Sequence, residues 1–240
     1  MNKYREKYSI SSNRFLNIAI GKLVKLWKIG FDEARKPTDI EIKNVLSLID
    51  LENIILNEDE CSIYLSKKNM EIDLGALAKG YFADKIKDYL LAKGVKSGII
   101  DLGGNVLTLG TSYKNNHGFC LVGIQNSKEN RGNLLGVIPI KDKSVVTSGI
   151  YERVLNFNGE KYHYIFDSLT GYPIKNEIAS VSVIANKSLD CEIWTTILFS
   201  YSIEKALHII NSMKDFECLI IDKNNKIYLS DGIKDIFIKL

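Results

Sequence analysis

Gly98-Ile99-Ile100-Asp101-Leu102-Gly103-Gly104-Asn105-Val106-Leu107-Thr108-Leu109 reads as two β-strands, near 98–101 and 105–109, joined by a Gly-Gly turn. A parallel pairing needs a crossover of a dozen or more residues, so these two strands must run antiparallel. Working outward, strands are expected near 118–124, 134–140, 144–147, 153–157, 161–166 and 178–185. Helices follow near 189–201 and 203–213, then a hairpin of 218–222 and 226–229 turning at Asn224-Asn225. Upstream, 75–93 reads as a helix with Leu77, Tyr81, Phe82, Ile86, Tyr89 and Leu90 on one side and Gly94 as its C-terminal stop. Residues 15–28 carry helical apolar spacing, with Leu26-Trp27 at the helix end, and Thr38 with Glu41 forms a capping-box pattern opening a helix to about Ile49. Short strands at 54–56, 62–65 and 70–72 look like a meander. Strands outnumber helices and most connections are too short for a crossover. The expected class is therefore α+β, with antiparallel sheets and packed helices in a single domain over 1–240.

Composition narrows the function classes. Lys+Arg 32 against Asp+Glu 29 leaves a net charge of +3, with the basic residues scattered, which argues against a nucleic-acid partner. No apolar run reaches the length of a signal core or a bilayer span, so no membrane span is expected and the chain as written reads as cytoplasmic, any export or lipoprotein signal lying outside it. Cysteines 61, 120, 191 and 218 share no CxxC spacing and are expected to be reduced thiols.

Four segments could carry chemistry. Asp73-Leu74-Gly75-Ala76-Leu77-Ala78-Lys79-Gly80 sets small residues before a helix start, where free N–H groups favour phosphate and Lys79 adds a cation; a simple Asp73 cap asks for the same residues. Leu102-Gly103-Gly104-Asn105 allows close backbone approach, as a tight hairpin also would. Taken as the phosphate loop of an actin-like ATPase it has no second loop to pair with. Thr147 to Arg153 and Tyr162 to Pro173 crowd hydroxyls, His163, Asp167 and Thr170 into strand ends. Glu192 and Thr196 stand four apart on a helix and offer two oxygens, too few to cage a cation alone but suited to Mg²⁺ shared with substrate phosphate. The plainer alternative is an exposed glutamate beside a threonine bonded back to its helix.

In this order and spacing the segments resemble the ApbE family of FAD:protein FMN transferases. That family carries a DLGAxAKG-like turn, an LGGN strand end, a TSGxYER stretch with a YHHIxDPxTGxP-like loop, and a helix with Asp and Thr four apart. The resemblance implies an ApbE-like flavin transferase fold. It also implies transfer of FMN from FAD to a Ser or Thr hydroxyl of a client flavoprotein, with release of AMP and a requirement for Mg²⁺. Carried over by position, Phe15, Leu16 and Asn17 line the flavin site, Asp73, Lys79 and Phe166 touch FAD, and Mg²⁺ sits on the Ala76 carbonyl, Glu192 and Thr196.

The sequence departs from the family at three places. Glu192 stands for the family's Asp, Tyr164 for the histidine before Ile-x-Asp, and the chain is expected to lack the family's amino-terminal segment. Tyr164 then takes the catalytic position, with Asp167 and Thr170 beside it in the loop. His163 serves instead if a bulge shifts the strand register by one, though the spacing to Asp167, Thr170 and Gly171 needs no insertion. The alternative function is an FAD-binding or inactive remnant of the family.

Overall fold

A computed structural model describes residues 16–112, 118–129 and 132–240. Phe15 lies outside the described residues. The chain forms two compact units, Met1–Leu74 with Ile150–Lys175, and Gly75–Gly149 with Asn176–Leu240.

The first unit holds helices α1 (Gly21–Trp27) and α2 (Asp39–Leu46) and two hairpins, β1 (Ile54–Asn57) with β2 (Ser62–Leu65) and β8 (Val154–Phe157) with β9 (Glu160–His163). Its core gathers Leu23, Trp27, Ile29, Ile42, Ile49, Tyr162 and Phe166. Trp27 is fully buried, its indole donating to the Gly171 carbonyl at 3.0 Å. Gly171 has φ +74°, and a Cβ there would meet Ile42 at 2.5 Å, so the turn and the core both require glycine.

The capping box is present as expected: Thr38 Oγ1 accepts from Glu41 N, and the Glu41 carboxylate accepts from Thr38 N. Arg35 grips that carboxylate with both guanidinium nitrogens, at 2.6 and 3.0 Å. The guanidinium first, and the Thr38 bonds after it, pull Glu41 from the usual 4.5 to about 2. A depressed carboxylate supports the fold above its ordinary pKa and stops doing so as pH falls through its folded value. Arg35→Ala is therefore expected to return Glu41 towards the ordinary range, so that the helix start loosens at a higher pH. A side-chain carboxyl NMR titration checks this, and an unmoved Glu41 would refute it.

Two expectations for residues 16–74 of this unit need correction. The first helix begins at Gly21 rather than 15, because Asn17 Oδ1 accepts from Ala19 N at 2.8 Å and closes a turn. Residues 70–72 form no third meander strand. Glu71 bridges Ile20 and accepts from Gly21 N at 3.2 Å, tying this segment to α1 instead of β2.

The second unit is built on a six-stranded sheet in which all neighbours are antiparallel. Its order is β12 (Ile227–Leu229), β11 (Glu217–Asp222), β10 (Ile178–Ala185), β7 (Ser144–Gly149), β4 (Asn105–Gly110), β3 (Ser97–Asp101). A three-stranded sheet, β13 (Ile238–Lys239), β6 (Leu134–Ile140), β5 (Cys120–Gln125), shares a core with it through Val122, Ile138, Val145, Ile184 and Leu219. Helix α3 (Ala78–Ala92) packs on β3 and β4, α4 (Ser188–Leu198) on β7 and β10, and α5 (Ile203–Asn211) on β11. All eight residues of β10 are buried, which requires cover on both faces.

Gly103 and Gly104 have φ +66° and +90°, and Asp101 Oδ1 caps the turn by accepting from Gly104 N, as a tight antiparallel connection demands. The four cysteines are free; Cys120, Cys191 and Cys218 are buried, and burial pushes the Cys218 thiol up to about 12.

Helix α3 corrects the reading of its faces. It starts at Ala78, not Gly75, and Tyr81, Phe82, Ile86 and Tyr89 are exposed while Gly80 and Ala83 are buried. The helix buries its small side: a Cβ at Gly80 would lie 2.6 Å from both Leu189 Cα and Ser188 O. Helices this close need glycine at the crossing, which decides the buried face over the apolar stripe.

Candidate active site

The site in the second unit grows from that helix crossing. Asp84, one turn beyond Gly80, accepts from the backbone N–H groups of Ser188 and Leu189 at 2.8 and 3.0 Å and so caps α4 from outside, since Lys187 provides no side-chain cap. Burial raises the Asp84 pKa against the pull of those two donors. The cap fixes α4 so that Glu192, one turn in, enters the interior with only 4% of its surface exposed.

Two donors meet Glu192 there. Asn105 Nδ2 donates to its Oε1 at 2.9 Å, and Lys79 Nζ lies 3.1 Å from the same oxygen. Asn105 is fully buried and is itself oriented by Ser188 Oγ, which donates to its Oδ1 at 2.6 Å. Lys79, by contrast, keeps 45% of its side chain in solvent. It stands in the first turn of α3, where the N-cap residue Leu77 offers no side-chain cap and the turn itself holds no acidic residue. Such a start favours anions.

Thr196 Oγ1 donates to the Glu192 carbonyl at 3.3 Å, and Thr195 Oγ1 does so at 2.9 Å while accepting from Ser148 at 3.0 Å. With its proton directed at the helix, the Thr196 oxygen retains lone pairs for a ligand. Ala76 lies in the turn just before α3. The Glu192 carboxylate and the Thr196 hydroxyl are hard oxygen donors of the kind Mg²⁺ takes, so the chemistry of these two residues fits the ion. Among the described residues no group of three or more His, Cys, Asp or Glu gathers, so a metal here would draw further oxygens from substrate and water.

The remaining predicted residues lie in the first unit. Leu16 is half-buried; Asn17 donates to the Ile49 carbonyl at 2.7 Å, and Asp73 N donates to the Ile18 carbonyl at 2.9 Å. Phe166 is 7% exposed, its ring 5.8 Å from that of Trp27. Asp167 Oδ1 accepts from Leu169 N and its Oδ2 from Thr170 Oγ1, so Asp167 and Thr170 together form the turn that leads to Gly171.

β8 and β9 pair in continuous register from Val154↔His163 to Phe157↔Glu160, with no bulge. The strand ends at His163 instead of 166, because Phe166 turns to bridge Pro173. Both ring nitrogens of the buried His163 face backbone: Ile165 N donates to Nδ1 at 3.3 Å, which leaves the proton on Nε2 to donate to the Ile174 carbonyl at 2.9 Å. Tyr164 is half-buried, with the Arg153 guanidinium 5.8 Å above its ring.

Sequence reasoning overlooked Asp84 and Ser188 and gave Asn105 no role of its own. Gly80 and Asp84 stand four apart, on one helix face, which was the available signal.

A family model described as the ApbE family matches residues 3–220. This chain belongs to the ApbE family. A FAD:protein FMN transferase of Klebsiella pneumoniae (strain 342) is 42% identical over 214 residues, covering 89% of this chain and 65% of the relative. One of Treponema pallidum (strain Nichols) is 34% identical over 239 residues, covering 95% and 66%. The chain thus spans just under two thirds of the length of these curated relatives. Among solved structures, the ApbE protein of Thermotoga maritima MSB8 matches with a TM-score of 0.85 at 24% identity, covering 96% of this chain and 74% of that one. The flavin transferase ApbE of Vibrio cholerae gives 0.79 at 24%, covering 98% and 75%. The fold is the ApbE fold, an α+β arrangement with antiparallel sheets. No helix among the described residues is long and apolar enough to cross a membrane.

Proposed function

We propose that this ApbE-family chain transfers the FMN half of FAD to a Ser or Thr hydroxyl of a client flavoprotein, releases AMP and requires Mg²⁺. The observation that carries the reading is the buried Glu192 carboxylate beside Lys79 at the uncapped start of α3. The names of the relatives support it. In the reaction the acceptor oxygen bonds to the FMN phosphorus, the bond to the AMP phosphate breaks, and the hydroxyl proton passes to a base.

Lys79 and the N–H groups of the α3 first turn bind and orient pyrophosphate. Glu192, Thr196 and the Ala76 carbonyl would hold Mg²⁺, which when bound supplies charge neutralisation for the phosphoryl group. Asn105 keeps the Glu192 carboxylate in place throughout. Tyr164 takes the proton by position, at a disadvantage because an ordinary phenol has a pKa of about 10. Asp167, Thr170, Phe166, Asp73, Leu16 and Asn17 keep their family assignments within this proposal.

A second reading, an FAD-binding remnant without transfer, is favoured by that same phenol together with a His163 whose ring nitrogens are both committed to backbone. Incubating the chain with FAD, Mg²⁺ and a flavin-acceptor domain, then weighing the acceptor, separates the two. Addition of an FMN mass that disappears without Mg²⁺ and in Glu192→Ala is expected. FAD binding with no added mass at any time would establish the remnant.

A further inference from the structure

We propose that Lys79 is the resident counter-cation of Glu192, and that Mg²⁺ enters by displacing it, leaving the ammonium to meet substrate phosphate. This rests on the reading of Glu192 as the metal ligand. A carboxylate as buried as Glu192 needs a compensating cation, and among the described residues Lys79 is the one that reaches it.

The two partners of Glu192 Oε1 differ in freedom. Asn105 is fully buried and locked by Ser188, so it stays; Lys79 is nearly half exposed on a long flexible stem, so it can leave. A divalent ion and an ammonium on one carboxylate repel each other, and the mobile one yields. The released ammonium remains at the uncapped first turn of α3, where an anion is already favoured. Phosphate arriving there draws Lys79 from the carboxylate and opens it to metal, while metal arriving frees Lys79 for phosphate. The two bindings assist each other by one reciprocal factor.

The consequence runs against the usual effect of substitution in a binding site. Removing Lys79 should strengthen Mg²⁺ binding in the absence of FAD, although it weakens FAD. Calorimetric titration of the full chain with Mg²⁺ alone is expected to show Lys79→Met binding at least about tenfold tighter than wild type, the scale of one lost competing charge. Lys79→Arg, which keeps the charge, should retain the weak wild-type affinity. The gain that FAD brings to Mg²⁺ affinity should shrink towards unity in Lys79→Met, and Glu192→Gln should abolish Mg²⁺ binding in either background.

If Lys79→Met binds Mg²⁺ no tighter than wild type while Glu192→Gln still abolishes binding, the exchange is wrong and the metal-ligand reading stands. If binding survives Glu192→Gln, both fall. If neither wild type nor Lys79→Met binds Mg²⁺ without FAD, the exchange is overturned as well.

Discussion

Tyr164→His is expected to raise FMN transfer by about 10²-fold or more, the usual contribution of a positioned general base. An imidazole of pKa about 6.5 accepts a hydroxyl proton at neutral pH where a phenol of about 10 largely does not. The gain rests on the proposed assignment of the base to Tyr164; the β8–β9 register is continuous up to His163, and both ring nitrogens of His163 meet backbone groups. Because His163 accepts from Ile165 N and donates to the Ile174 carbonyl, His163→Ala should lower stability by about 1–3 kcal/mol through the backbone groups it leaves unpaired. It should not remove the chemistry from protein that remains folded. Transfer rates measured for wild type, Tyr164→His and His163→Ala at a temperature where all three are folded decide the matter. Loss of transfer in His163→Ala alone, with Tyr164→His unchanged, would assign the base to His163.

Gly80→Ala should have the second large effect, on stability and metal response together. The added methyl would sit 2.6 Å from Leu189 Cα and Ser188 O, both backbone atoms that no rotamer change can move. Overpacking of this kind costs about 1–3 kcal/mol, so the thermal midpoint should fall by roughly 5–10 °C. Pushing α4 away also drags Ser188 from Asn105 and strains the cap from Asp84, so Mg²⁺ binding should weaken in parallel. Gly94→Ala is the control. It has φ +81° with nothing within 4 Å of the new methyl, so it carries only the conformational penalty of about 1 kcal/mol and should leave metal binding unchanged. A Gly80→Ala protein melting with wild type would show that the helix crossing is not tight.

Much of this architecture was legible because its causes are local. The Thr38–Glu41 capping box, the Gly94 stop of α3, the Gly103-Gly104 turn and the closing β11–β12 hairpin with Asn225 at φ +64° each follow from a few adjacent residues. Antiparallel class followed from connection length alone. The chain's own residues also marked Lys79, Glu192 and Thr196 as chemically suggestive, since helix position and oxygen spacing are short-range properties.

What needed the folded chain was the choice among partners far apart in sequence. The apolar stripe of α3 points outward because Gly80 and Asp84 meet the α4 backbone, an approach that hydrophobic periodicity cannot register. Strand β9 stops at His163 because the next residues turn to bridge Pro173, a pairing set by the Asp167 turn and the Trp27 core. Glu192 acquires its meaning only when β4 brings Asn105, and α3 brings Lys79, to a single buried oxygen. In a sheet ordered β12-β11-β10-β7-β4-β3 the central pairs β10–β7 and β7–β4 join strands that are not consecutive in the chain, so long-range packing determines which charges are buried together and which cation must answer them.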